Sequence, residues 1–172
     1  MGRDCNWEQK HESWVAAGRE GKEPAKWIFP RLFTRGIEAF GQDRLKRETI
    51  ADRLEGFGLP VVEGPLDTIN LNCLDLPSVA ILSNQATDQQ IRRIAELAHQ
   101  LTDGVVTLLY DLDDEGEKGM DQDAVKFSRN CRVQRGWWRT MDDRLNVNDP
   151  AELNAEQVDV LREHVASRGI AQ

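Results

Sequence analysis

A chain of 172 residues suffices for one well-buried core with a small extension and is too short for two full domains. The composition, 40% hydrophobic and 30% charged with no biased tract, is that of an ordinary soluble protein. The longest apolar runs are five or six residues, as in Val105-Val106-Thr107-Leu108-Leu109-Tyr110, whereas spanning a bilayer takes about 20. The N-terminus carries Asp4, Glu8 and Glu12 and no apolar stretch, which excludes a secretory signal. A cytoplasmic location with no membrane partner is expected.

Cys5, Cys73 and Cys131 lie far apart and form no C-x-x-C pair, and His11, His99 and His164 do not cluster with them. Neither a zinc ribbon nor a disulfide framework is encoded, and the thiols are expected to be reduced and to fill space. The net charge of −8 is unevenly spread. Residues 1–60 hold 11 Lys/Arg against 10 Asp/Glu, while residues 61–172 hold 11 against 20. Within the second part, residues 111–123 alone carry seven acids and one base, Lys118. So local an anionic cluster points to a bound cation rather than to a generally acidic surface.

In chain order, residues 1–56 read as a helical extension. Trp7, Trp14 and Val15 suit one side of a short helix ending at Gly18, and Gly18–Pro24 is a loop by composition. A second helix is expected from Asp43 to Glu55, with Leu45, Ile50 and Leu54 as its apolar positions. From Leu59 the pattern changes. Leu59–Val62, Val79–Leu82 and Val105–Tyr110 are continuous apolar runs, as strands of a parallel sheet covered on both faces must be. Between them lies room for crossover helices. The clearest helix follows the capping box Thr87-Asp88-Gln89-Gln90, with Ile91, Ile94, Ala98 and Leu101 at helical spacing and Asp103-Gly104 closing it. A helix over Glu117–Asn130, a fourth strand over Cys131–Trp137 and a helix after Asn154 complete the plan. The expected class is α/β, a right-handed parallel sheet of about four strands with flanking helices. The expected organisation is an extension over 1–56, the sheet domain over 57–153 and a C-terminal helix over 154–172.

Sites in such sheets form beyond the carboxyl ends of the strands. The first run is followed by Glu63-Gly64-Pro65-Leu66-Asp67 and the third by Asp111-Leu112-Asp113-Asp114-Glu115-Gly116, so both strand ends deliver acids to one edge. Asp111 and Asp113, two apart on an extended backbone, are expected to point the same way. Two carboxylates about 4 Å apart repel by about 4 kcal/mol at an effective dielectric of about 20. A helix cap or surface pair returns only about 1 kcal/mol. A cluster of Glu63, Asp111 and Asp113 therefore calls for a cation, and Mg²⁺ (or Mn²⁺) suits carboxylates that also meet phosphate. The alternative is a set of solvated loop acids or helix N-terminal acids favoured by the dipole. Paired motifs after two strands favour the metal.

These motifs resemble the Toprim signature shared by topoisomerases, primases, recombination factors and some nucleases, and most resemble the catalytic core of bacterial replicative DNA primases. Leu32-Phe33-Thr34-Arg35-Gly36-Ile37-Glu38-Ala39-Phe40-Gly41 is similar to the primase segment F-x-K-G-x-x-L-Y-G. Asp67 matches the acid of E-G-Y-x-D-V, and Asp149-Pro150 matches the start of D-P-D. The resemblance covers about residues 26 to 153. It implies a Rossmann-like Toprim fold, with residues 1–56 a remnant of the polymerase subdomain. It also implies an acidic metal site of Glu63, Asp67, Asp111, Asp113 and Asp149. Asp111 and Asp113 would be the main ligands, and Glu63 would position metal-bound water or assist proton transfer. Lys26 and Arg35 would contact template or nucleotide phosphate.

The implied activity is Mg²⁺-dependent nucleotidyl transfer making RNA primers on single-stranded DNA. Its partners are the DNA template, nucleotides, and a helicase or other replication protein. Ala151 replaces the second acid of D-P-D, and the zinc module and most of the polymerase subdomain of such primases have no counterpart here. A catalytic fragment or degenerate relative, incomplete alone, is the expectation. The alternatives are a small Toprim nuclease and a non-catalytic module binding nucleic acid or a replication partner.

Four local features have bland readings beside functional ones. Asp149-Pro150-Ala151-Glu152 is a helix cap with Pro at the first position, and Asp67 is a first-turn acid. Arg129, Arg132, Arg135, Arg139 and Arg144 with Trp137 and Trp138 could hold a nucleic-acid backbone. Given the acidic balance, they more simply neutralise nearby acids around one core Trp. Ser83-Asn84-Gln85 after the second strand suits phosphate or a polar turn.

Overall fold

The computed structural model describes all residues except 1, 23, 25, 26, 30–33, 35, 47, 48, 138–142 and 170–172. It divides into two compact units, Met1–Thr34 and Arg35–Gln172. In the first, β1 (Gly2–Arg3) pairs antiparallel with β2 (Trp27–Ile28), joined through α1 (Trp7–Ala16). Trp7 and His11 stack with ring centroids 4.7 Å apart, and His11 meets Trp14 at 5.7 Å. No residue of α1 is buried.

The second unit begins with a segment that joins the sheet. Phe40 forms an antiparallel bridge with Ala80, and Gln90, fully buried, donates to Glu38 O and Ile81 O. The expected helix from Asp43 to Glu55 is instead a 3-10 turn, Gln42–Lys46, and a short α2 (Ile50–Leu54). Its apolar positions Leu45, Ile50 and Leu54 are nonetheless all buried. Gly41 sets the geometry: at φ +89° it lies so close to Thr68 Cγ2 and Ser78 O that a Cβ would meet them at 2.9 and 3.0 Å.

Then come β3 (Leu59–Val62), α3 (Pro65–Cys73), β4 (Val79–Ala80), α4 (Asp88–Leu101), β5 (Val105–Leu108), α5 (Asp114–Phe127), β6 (Arg132–Arg135) and α6 (Ala155–Gly169). The strands form a four-stranded sheet in the order β4-β3-β5-β6, every pair parallel. β3, β4 and β5 are buried throughout, as their unbroken apolar runs require. The Thr87 capping box forms as read from the sequence, with Gln90 N donating to Thr87 Oγ1 and Thr87 N to Gln90 Oε1.

Several boundaries shift, and β6 (Arg132–Arg135) is shorter than the expected Cys131–Trp137. β4 stops at Ala80 because Leu82 turns the chain at φ +63°, its N–H donating to Glu63 O. β5 stops at Leu108 and α5 starts three residues before the expected Glu117. The thiols do not fill space: Cys5 and Cys73 are exposed and Cys131 is half-buried. Among the described residues, no helix is long and apolar enough to cross a membrane.

Strand order reverses between β3 and β5: the chain leaves β3 for β4 on one side and returns to β5 on the other. The crevice beyond the carboxyl ends of these two strands is where an open parallel sheet leaves room for a ligand. Glu63 follows β3 directly, and Asp111 follows β5 after Leu109 and Tyr110.

Candidate metal centre

Glu63 leaves β3 and the chain turns at once into α3, with Pro65 at its first position. Asp67 folds back so that its Oδ2 accepts from Gly64 N at 2.6 Å, leaving it 5% exposed. After the neighbouring strand the chain is held at Tyr110, just before Asp111. Tyr110 Oη donates to Asp123 at 2.8 Å, and Trp137 Nε1 donates to Tyr110 O at 2.8 Å. Asp123, fully buried, also accepts from Ala86 N at 2.6 Å and Lys126 Nζ at 2.8 Å. A buried carboxylate with three donors is compensated rather than a source of instability. Burial, with Asp123 beside it, holds the Tyr110 phenol well above its usual pKa. This clamp fixes the backbone from which Asp111 projects.

Asp111 N donates to Glu63 Oε1 at 3.3 Å, so the acids of the two strands share one rim. Asp149 comes from much later in the chain. Its Oδ1 accepts from Ala151 N at 2.8 Å, capping the 3-10 turn Pro150–Glu152, and Leu112 N donates to Asn148 O at 2.7 Å. Oxygens of Asp67, Asp111 and Asp149 all lie within 4.8 Å of one another. Asp67 and Asp149 are thus both caps and cluster members, and the two roles coexist.

Asp113 stands differently. The backbone at Asp113 is still extended, but Asp113 is the N-cap of α5 and its carboxylate turns to the helix, Oδ1 accepting from Gly116 N at 2.7 Å. It is exposed, near enough to Glu63 to repel it yet outside the three-carboxylate group. Lys26 and Arg35 lie outside the described residues, as do Leu32, Phe33, Trp138 and Arg139. Ser83 Oγ is spent on Gln85 O at 2.6 Å, a closed polar turn. Trp137 is core, and Arg135 pairs with Asp121 at 2.8 Å, as the bland reading of that segment has it.

The electrostatics report crowding. Burial first, then Asp111 and the other acids nearby, pushes Glu63 up to about 8. Burial, with Asp149 and Asp111, pushes Asp67 up to about 7 against the lowering hydrogen bond from Gly64. Burial and neighbouring acids raise both carboxyls, and a cation among them would favour their charged forms.

Gly116 shows how tightly the rim is built. A Cβ there would meet Asp111 O at 2.3 Å and Glu63 Oε1 at 2.7 Å. The carboxylate could swing aside, but the carbonyl belongs to the backbone. Gly116→Ala is expected to cost about 1–3 kcal/mol in urea unfolding and to weaken divalent-ion binding, because relief requires moving Asp111. The sequence shows Gly116 beside the acids, but only the close approach of α5 to the rim explains it.

A Toprim-like family model matches residues 60–151, more than half of the chain and every acid of the rim. The chain belongs to the Toprim-like family. A search of curated proteins finds no match. Among solved structures, this Toprim-like chain is similar to the Aquifex aeolicus primase (zinc-binding and RNA polymerase domains). The identity is 24% and the TM-score 0.62, over 84% of this chain and 34% of that one. It is similar to the DnaG catalytic core at 20% identity and a TM-score of 0.57, covering 84% and 46% of the two chains. It is also similar to the DnaG primase catalytic domain bound to ssDNA at 20% identity and a TM-score of 0.55, covering 86% and 44%. The Toprim-like chain thus spans less than half the length of these structures, and at such identities the likeness is one of fold.

A Toprim-like fold implies a divalent cation, and the residues present fit one. All three clustered donors are carboxylate oxygens, the set preferred by hard cations such as Mg²⁺. Oxygens on opposite sides of a Mg²⁺ ion lie about 4.2 Å apart, so a spread of 4.8 Å needs only a small contraction.

Proposed function

We propose that this chain is the metal-binding core of a primase-type nucleotidyltransferase that extends an RNA primer on single-stranded DNA and needs further protein to do so. One observation carries the reading: Asp67, Asp111 and Asp149 converge at the point where strand order reverses, in a fold similar to primase catalytic cores. Residues 57–153 would be the Toprim domain and 154–172 its closing helix, with 1–56 a remnant of a polymerase subdomain. The protein would be cytoplasmic.

In this reading Asp67, Asp111 and Asp149 hold a Mg²⁺ or Mn²⁺ ion, and Asp113 adds negative charge at the rim. When bound, the ion neutralises charge developing on the transferred phosphate. Glu63, which accepts from the Asp111 N–H, would take a proton from an attacking 3′-hydroxyl once a bound cation favours its charged form. Lys26 and Arg35 would contact template or nucleotide phosphate, as a helicase or other replication protein would contact the whole.

The test combines the chain with the zinc-binding and polymerase subdomains of a primase, a single-stranded DNA template, ribonucleoside triphosphates and Mg²⁺. RNA products are expected that vanish with EDTA or Asp111→Asn. Cleavage of the template without extension would replace primer synthesis by a nuclease. Template binding indifferent to EDTA, with no chemistry, would leave only a binding module.

A further inference from the structure

We infer that Asn70 is a positioning residue that holds Asp149 in the metal centre, an inference resting on the metal-binding role proposed above. Asp149 is not carried by the sheet. It precedes a three-residue 3-10 turn, and one of its carboxylate oxygens lies within 4.8 Å of one of Asp67. Its own cap, Asp149 to Ala151, is local and anchors it to nothing.

Asn70 supplies the anchor. Its Nδ2 donates to Pro150 O at 3.0 Å and to Leu153 O at 2.9 Å, carbonyls at the two ends of the turn and 80 or more residues away. Both partners are acceptors, so only the amide nitrogen, with its two hydrogens, can serve them. Asn70 also lies one helical turn beyond Asp67 on α3. The helix that presents one carboxylate therefore grips the segment that presents the other. A second tie, from Leu112 N to Asn148 O, comes from the loop carrying Asp111. Asp149 is thus held from the two directions in which its partner acids lie.

Pro150 and Leu153 also bury their side chains here, so packing holds the turn as well. Asn70 is only half-buried, so water could satisfy its amide without the turn. The specific consequence of its two bonds is where Asp149 sits. Loss of a residue that orients a metal ligand typically lowers affinity about 10- to 100-fold.

The experiment is a Mn²⁺ titration of the full chain followed by electron paramagnetic resonance, with circular-dichroism melting as the control for folding. Asn70→Ala and the nearly isosteric Asn70→Leu, which keeps the packing if alanine does not fold, are each expected to weaken Mn²⁺ about tenfold. Asp149→Asn should weaken it at least as much, and adding Asn70→Ala to it should cost nothing further. Wild-type affinity in both Asn70 variants would overturn the inference. So would an equal Asn70→Ala loss with and without Asp149, because Asn70 would then act through the fold at large. Mn²⁺ binding by the wild type that ignores Asp111→Asn would instead remove the metal centre itself, and the anchor with it.

Discussion

Asp111→Asn should lower Mn²⁺ affinity at least about 100-fold, since disturbing a mere support of a ligand already costs about 10- to 100-fold. The substitution keeps size and shape and removes the charge. Asp111 is the side chain on which the rim turns: it belongs to the group within 4.8 Å, its N–H holds Glu63, and the Tyr110 clamp fixes its backbone. Any phosphoryl-transfer activity should fall with it. Asp113→Asn provides the contrast. Asparagine caps helices about as well as aspartate, so the bond from Gly116 N survives. With Asp113 outside the three-carboxylate group, the loss should be several-fold rather than 100-fold. Isothermal titration of both variants against the wild type checks the difference, and equal losses would place Asp113 among the ligands.

The second large effect is on stability. Without metal, Glu63 at about 8 and Asp67 at about 7 bind protons more tightly in the folded state than at their ordinary values of 4.5 and 3.8. The folded state therefore holds more protons than the unfolded one between about pH 4 and 8. The slope of unfolding free energy with pH is negative there. Their contribution is fully present below about pH 4 and is lost as pH rises through 7 to 8. The fall should be on the order of 3 kcal/mol, less than the shifts alone imply because both groups keep some contact with solvent. Urea unfolding in EDTA across this range checks it. With Mg²⁺ at pH 8 the loss should be largely restored, since ligand binding to the folded state adds stability.

Much of this arrangement is legible in the sequence because the physics is local or periodic. Unbroken apolar runs at Leu59–Val62 and Val105–Leu108 report strands covered on both faces. Acids placed directly after them must then stand at one edge. The Thr87 box needs only four residues to declare itself. What escapes the sequence is what depends on distant partners. Asp113 looks like a twin of Asp111 from its spacing, but its carboxylate turns to Gly116 N as the cap of α5, a role set by where that helix starts. Asn70 is an unremarked helix residue until Pro150 and Leu153 arrive beside it. Asp149 reads from its immediate neighbours as a cap, and only the resemblance to the primase D-P-D element puts it with Asp67 and Asp111.

The most direct test counts protons released when Mn²⁺ binds. Calorimetric titrations of the wild type at pH 6.5, in buffers with different ionisation enthalpies, give this number. Carboxyls kept protonated by crowding must let go when a cation takes their place, so release of about one proton or more per ion is expected, and less at pH 9. Binding with no proton release at pH 6.5, or no binding, would contradict the claim that these converging acids coexist only by sharing a divalent ion.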